Sequence, residues 1–190
     1  MIDWLRHCDR ELFLLINSHH NAIFDWIMWH VSVPLTSLPI YLYILYRIFK
    51  KYPRKTVWYA VLTILVSVGL SNFISSEILK TTVHRLRPSH VPELQSYIHL
   101  VRNYSGGMYG FASSHAANMM AIAICTHFLL RKPIVSTVVI LWALLVSFSR
   151  IYLGVHYPGD VIAGIVIGFC ISALFVYLFS IFERKKTMNY

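Results

Sequence analysis

Five stretches of the chain are apolar enough, and nearly long enough, to cross a bilayer as helices of about 20 residues. They cover residues 23–49, 57–79, 112–130, 134–148 and 161–182. The first contains Pro34 and Pro39. Ahead of them, IDWLRHCDRELFLLI sets Ile2, Leu5, Leu12, Phe13 and Ile16 near one helical face. The charges at Arg6, Asp9, Arg10 and Glu11 argue against a spanning helix there, so the pattern predicts a short amphipathic helix in the membrane interface. Asp3, Asp9 and Glu11 also stand where a signal peptide needs a basic stretch followed by an apolar core. The expected fold is all-α: a polytopic membrane bundle of about five transmembrane helices plus the N-terminal interfacial helix. No linker or repeat divides residues 1–190, which predicts one membrane-embedded domain.

Composition strengthens that picture and charge orients it. Hydrophobic residues make up 57% of the 190 and charged residues only 13%, against roughly a quarter charged in soluble domains. Ten of the 17 basic residues are expected on one side: Arg47, Lys50, Lys51, Arg54 and Lys55, then Arg131 and Lys132, then Arg184, Lys185 and Lys186. The positive-inside rule makes that side cytoplasmic. The net charge of +9 thus reflects topology and anionic lipid, and no nucleic-acid partner is expected. Arg6, Arg10, Lys80, Arg85, Arg87, Arg102 and Arg150 lie on the other side against the rule. Five of them fall in the segments 80–111 and 149–160, where an anion would account for them. The three cysteines give neither a disulfide framework nor zinc spacing. Cys125 and Cys170 read as apolar packers and Cys8 as exposed.

The polar residues expected on the outer side form an ordered set. KTTVHRLRP gives Lys80 and Arg87-Pro88, FASSH gives Ser113, Ser114 and His115, and SRIYLGVHYPGD gives Ser149-Arg150, His156 and Asp160. The topology brings all three clusters to one membrane face. Lys80, Arg87 and Arg150 supply charge and forked donors suited to phosphate. Ser113 and Ser114 stand at a helix N-terminus, where free N–H groups favour an anion. Asp160, four residues after His156, is placed to accept its Nδ1–H and leave Nε2 free to attack. His115 would serve as general acid. No carboxylate cluster implies a metal, and no cofactor is expected.

These clusters resemble the signature of the type 2 phosphatidic acid phosphatase superfamily. Its first motif, Lys, six residues, Arg-Pro, matches at Lys80, Arg87 and Pro88. Its third, Ser-Arg, five residues, His, three residues, Asp, matches at Ser149, Arg150, His156 and Asp160. Its second, Pro-Ser-Gly-His, reads Ala112-Ser113-Ser114-His115, which keeps Ser and His but neither Pro nor Gly. Ser114 retains the N–H that the family's Gly offers to phosphate, but its side chain occupies space. The resemblance implies His156 as nucleophile, Asp160 as its orienting partner and His115 as general acid. It implies phosphate binding by Lys80, Arg87, Ser113, Ser114 and Arg150.

The short chain is similar to small bacterial members of that superfamily, the undecaprenyl-diphosphate and lipid A phosphatases. SSHAAN after a glycine-rich loop looks like the lipid A 4′-phosphatase group. The implied partners are the bilayer and a phosphorylated membrane lipid, with lipid A 4′-phosphate favoured over undecaprenyl diphosphate or phosphatidylglycerophosphate. The implied location is the bacterial inner membrane with the site facing the periplasm. No obligate protein partner is evident. A non-catalytic lipid-binding or lipid-translocating protein is the alternative class, but binding alone needs no oriented neutral imidazole.

Other polar residues read more plainly. Glu77 is expected to pair with Lys80 along the helix. Ser71, Asn72, Ser75, Ser76 and Asn118 are expected to hydrogen-bond between helices. NYSGGMYGF, residues 103–111, reads as a turn-rich approach to the third span. His84 and Arg85 read as loop residues flanking the first motif. Trp26, Trp29 and Trp58 read as interface anchors.

Overall fold

The structure, a computed structural model, describes residues 2–188; the side chains of Ile2, Lys186, Thr187 and Met188 lie outside the described residues. Its helices are α1 (Ile2–Ser18), α2 (Ala22–Ser32), α3 (Leu38–Lys51), α4 (Arg54–Phe73), α5 (Leu79–Val83), α6 (Ser114–Leu130), α7 (Pro133–Tyr152) and α8 (Pro158–Met188). A π turn at Ile74–Ile78 joins α4 to α5 in one rod of 30 residues. That rod, α7 and the 28 residues Pro158–Lys185 are each long and apolar enough to cross a membrane.

The first and third expected spans differ from their sequence reading. The first is two rods, α2 and the segment Pro34–Lys51, set 70° apart. Pro34 lacks the N–H to continue α2 and holds the preceding Val33 extended, at φ −75° and ψ 126°. Pro39 sits in the first turn of α3, where a missing N–H costs nothing. The third span, α6, has 17 residues and so reaches only about 25 Å, short of a full hydrocarbon core. It does not need that reach to satisfy lipid, because it is the central post, packed by α4, α7 and α8. A helix apolar all round belongs in such a place.

The α6–α8 contact depends on small residues. A Cβ at Gly164 would fall inside contact distance of the Ser113 carbonyl oxygen, and one at Gly168 inside that of Ala117. The two glycines, four apart, let the helix backbones touch, which drives association where lipid removes any hydrophobic advantage. Around this seam Ile48, Val57, Ala60, Ala123, Leu129 and Val139 form the main core. Leu62 and Leu65 on α4, and Ile162 and Phe169 on α8, face outward, as lipid-facing positions do.

α1 is amphipathic, and of the expected row Phe13 and Ile16 face inward. Phe13 and Asn17 are fully buried and Asp9 is half-buried, while Leu5 and Leu12 face outward. Asn17 fixes the helix by donating to the carbonyls of His99 and Tyr152, both at 2.9 Å. Cys170 also departs from expectation, since it is exposed; Cys125 is buried and Cys8 exposed, and all three are free. At the basic end, Lys51 Nζ donates to the carbonyls of Leu129 (2.6 Å) and Leu130 (3.3 Å), closing the C-terminus of α6. The end of the α4–α5 rod, the start of α6, the end of α7 and the turn before α8 meet at the opposite end, where the three motif clusters gather.

Candidate active site

The segment between α5 and α6 shapes this end. His84 ends α5 in the left-handed region and stacks edge-on against Tyr109. The chain then pairs with the glycine-rich loop: Arg87 N donates to Met108 O (3.0 Å) and Gly110 N to Arg85 O (2.8 Å). Arg87 Nε donates to Tyr109 O at 3.1 Å. Residues 103–111 are therefore a clamp on Arg87 rather than a simple approach to α6. Gly106 has φ +67°, and a Cβ there would collide with the Arg87 guanidinium. A Cβ on Gly110 would lie 2.8 Å from an Asp160 carboxylate oxygen.

A cavity of about 520 Å³ opens beside this clamp. Lys80, Arg87, Ser114, His115, Arg150 and His156 line its polar end. Its other end is lined by Tyr41, Val68, Met119 and Ile122. The other two expected site residues stand just behind the wall: Ser113 and Asp160 are fully buried, and Ser113 N donates to Asp160 O at 2.9 Å.

Lys80 reaches the cavity because the π turn changes the helix phase before it. Its Nζ donates to Ser114 Oγ (2.9 Å), which also meets Ser76 Oγ (2.7 Å), so the ammonium bonds Ser114 rather than the expected Glu77. The Ser that replaces the family's Gly thus holds the lysine. Of the polar residues expected between helices, Ser76 to Ser114 and Asn118 to Asn72 make such bonds, while Ser75 bonds back within its own helix. Arg150 donates to Ser32 Oγ and lies over the Tyr104 ring, 5.6 Å from its centre.

The electrostatics of the cavity are one-sided. Among the described residues, none of Lys80, Arg87 and Arg150 makes a salt bridge. Arg87 and Arg150 are buried, and burial followed by the neighbouring Arg150 charge lowers the Arg87 pKa from its ordinary value. Arg150 Nε and Ser113 Oγ are buried without a partner among the described residues, and the Ser113 side chain does not cap α6. Unpaired buried cations are costly, and these converge on a space that an anion would neutralise.

His156 is 1% exposed. Its Nδ1 lies 3.4 Å from Asp160 Oδ2, which also accepts from Tyr157 N at 3.1 Å. Burial first, then the charges of Arg87, Arg150 and Lys80, hold the imidazole well below the usual histidine range. The ring is therefore neutral at pH 7. The other carboxylate oxygen, Asp160 Oδ1, accepts from Arg85 at 2.9 Å, and Arg85 in turn holds Asp9 Oδ2 at 2.6 Å. Sequence reasoning left Arg85 as a flanking residue and gave Asp9, Ser32 and Ser76 no part here. Arg85 and Asp9 are 76 positions apart, and Arg150 and Ser32 118; only packing joins them.

A second cluster, His20, Asp25 and His99, lies outside the cavity. The two rings stack in parallel 3.7 Å apart, so their in-plane lone pairs do not converge on one ion. The Asp25 oxygens are already taken by His99 (2.8 Å) and Tyr152 (2.7 Å).

A basic cavity at one end of a membrane bundle, walled by the three motifs, defines a class: the chain belongs to the PAP2 superfamily, whose pattern matches residues 57–184. It is a membrane protein and a phosphatase acting on lipids. It is 36% identical to the lipid A 4′-phosphatase of Bacteroides thetaiotaomicron, over 88% of this chain and 75% of that one. It is 31% identical to the lipid A 4′-phosphatase of Porphyromonas gingivalis, over 99% and 79%. The crystal structure of Aquifex aeolicus LpxE shares the fold, with a TM-score of 0.67 at 24% identity over 88% of this chain and 93% of that one.

Proposed function

We propose that this single domain removes the 4′-phosphate of lipid A at the periplasmic face of the inner membrane, through a phosphohistidine on His156. The observation that carries the chemistry is the convergence of three cations, without carboxylate partners among the described residues, on a cavity that also holds a neutral, carboxylate-backed imidazole. Asp160 accepts the Nδ1–H of His156, leaving the Nε2 lone pair to attack phosphorus. The phosphorus–oxygen bond to the sugar breaks as His115, protonated once the bound phosphate neutralises the cations around it, gives that proton to the departing oxygen. Lys80, Arg87, Arg150, Ser113 and Ser114 hold the phosphoryl oxygens, whose charge spreads in the transition state. Water then attacks the phosphohistidine and releases inorganic phosphate. The similarity to two lipid A 4′-phosphatases supports the substrate, and the basic ends of α3, α6 and α8 support the orientation.

Phosphate release by the purified chain from lipid A, undecaprenyl diphosphate and phosphatidylglycerophosphate tests the substrate. Lipid A is expected to turn over fastest; a strong preference for either other lipid moves the assignment to it. Release from none of them would leave a lipid-binding protein. The donor set neutralises phosphate with side-chain cations, so activity is expected to survive EDTA. Vanadate, whose trigonal-bipyramidal form resembles the transition state, is expected to inhibit. Loss of activity in chelator that magnesium restores would refute the metal-free mechanism.

A further inference from the structure

We propose that Arg85 and Asp9 are positioning residues of the reaction: Asp9, on α1, holds Arg85, and Arg85 keeps the Asp160 carboxylate ionised and aimed at His156. This rests on the reading of His156 as nucleophile.

Asp160 is fully buried. A carboxylate in that position loses its charge by taking up a proton unless a cation and hydrogen bonds hold it ionised. Arg85 is the cation in direct contact, through one guanidinium nitrogen to Asp160 Oδ1 at 2.9 Å. Its other terminal nitrogen is bound to Asp9 Oδ2 at 2.6 Å, and its guanidinium lies over the Tyr157 ring, 4.2 Å from its centre. The fork is therefore fixed at three points. Asp9 Oδ1 also accepts from Gly159 N at 2.7 Å in the first turn of α8. Residue 159 lacks a side chain where one would meet Asp9: a Cβ there would lie 2.9 Å from the carboxylate. One aspartate thus secures both the arginine and the helix start that carries Asp160.

The charged and titratable groups facing Asp160 are Arg85, with Arg87 and Lys80 beyond it, then His156, Tyr157 and, across Arg85, Asp9. Arg87 and Lys80 face the cavity, where bound phosphate would neutralise them. Arg85 does not line the cavity, so its charge stays with Asp160 while substrate is bound. If Asp160 were protonated, it would donate to His156 Nδ1 instead of accepting from it. The ring proton would then sit on Nε2, and the attacking lone pair would be gone.

The experiment measures kcat, KM and pH–rate profiles on a soluble aryl phosphate and on the best lipid substrate, with detergent-purified, monodisperse protein. Arg85→Gln is expected to lower kcat by about 10- to 100-fold with KM changed less than about threefold, and to move the acidic limb of kcat up by at least about one pH unit. Arg85→Lys is expected to recover most of the pH shift, because charge is kept, and only part of kcat. Asp9→Asn should show a smaller loss. The double variant should be no worse than Arg85→Gln alone, because Asp9 acts through Arg85. A wild-type pH profile in Arg85→Gln, or losses from the two sites that multiply, would overturn the proposal, even if the variant were merely less stable. His156→Ala is run alongside. If it retains turnover, the nucleophile assignment has failed; if it is dead while Arg85→Gln behaves as wild type, only the positioning role has failed.

Discussion

The two histidines at the cavity face different demands, so their removal should be felt differently. His156→Ala is expected to abolish turnover of every substrate and to trap no acid-labile phosphoenzyme in rapid-quench labelling. His115→Ala should be severely impaired on a lipid monophosphate and much less on an aryl phosphate, whose phenolate leaves without a proton. Equal impairment on both leaving groups would remove His115 from the acid role. His156 also makes folding sensitive to acid. Its ring is buried, and the folded protein holds its pKa low. The unfolded chain accepts a proton below about pH 6.5 that the folded ring refuses. Stability from this group is therefore intact above that pH and lost as pH falls, at up to about 1.4 kcal/mol per pH unit. Thermal unfolding of wild type and His156→Gln between pH 7 and 5 checks this, since the variant should lack that part of the acid slope. Residues bearing their own chemistry at fixed spacing, such as Lys80, Arg150 and His156, were legible in the chain. Ser32 and Asp9 were not, because a serine or aspartate in an amphipathic or apolar stretch gains its meaning only from what packs against it.

At the level of elements, hydropathy marked every membrane helix but could not tell a lipid-facing rod from an inner one. α6 reads like its neighbours, yet it is the post they surround, because its Ala117 and Ala121 face glycines that another helix supplies. The bend after α2 was not legible in the chain, whose apolar run reads as one span through Pro34, because proline removes a hydrogen bond without fixing where the next rod goes. The glycines of the 103–111 loop signalled tight backbone but not the arginine it grips. Substitutions should sort accordingly. Gly168→Val forces a side chain into the α6 backbone and should lower stability in detergent by roughly 1–3 kcal/mol. Gly69→Ala, with nothing within 4 Å of the new methyl, should be neutral or slightly stabilising. Gly106→Ala should leave the fold intact but displace Arg87, raising KM for phosphate monoesters and weakening vanadate inhibition. Unchanged vanadate affinity would show that the loop does not set the arginine.

For the whole molecule, charge placement predicts orientation. A cysteine introduced within residues 88–105 should react with a membrane-impermeant reagent from the periplasmic side, and one within 50–55 should not. The reverse pattern would put the chemistry in the cytoplasm. The cavity is charged at one end and lined by Tyr41, Val68, Met119 and Ile122 at the other, and this lining bears on how turnover scales. A substrate that keeps its tail in the bilayer is met by diffusion in two dimensions, so the governing variable is its mole fraction in the membrane. Diluting the lipid with inert detergent at constant total amount should slow the reaction. Adding more micelles of the same composition, once the enzyme is saturated with them, should leave the rate unchanged. A rate that followed total amount alone would mean that the substrate arrives through water.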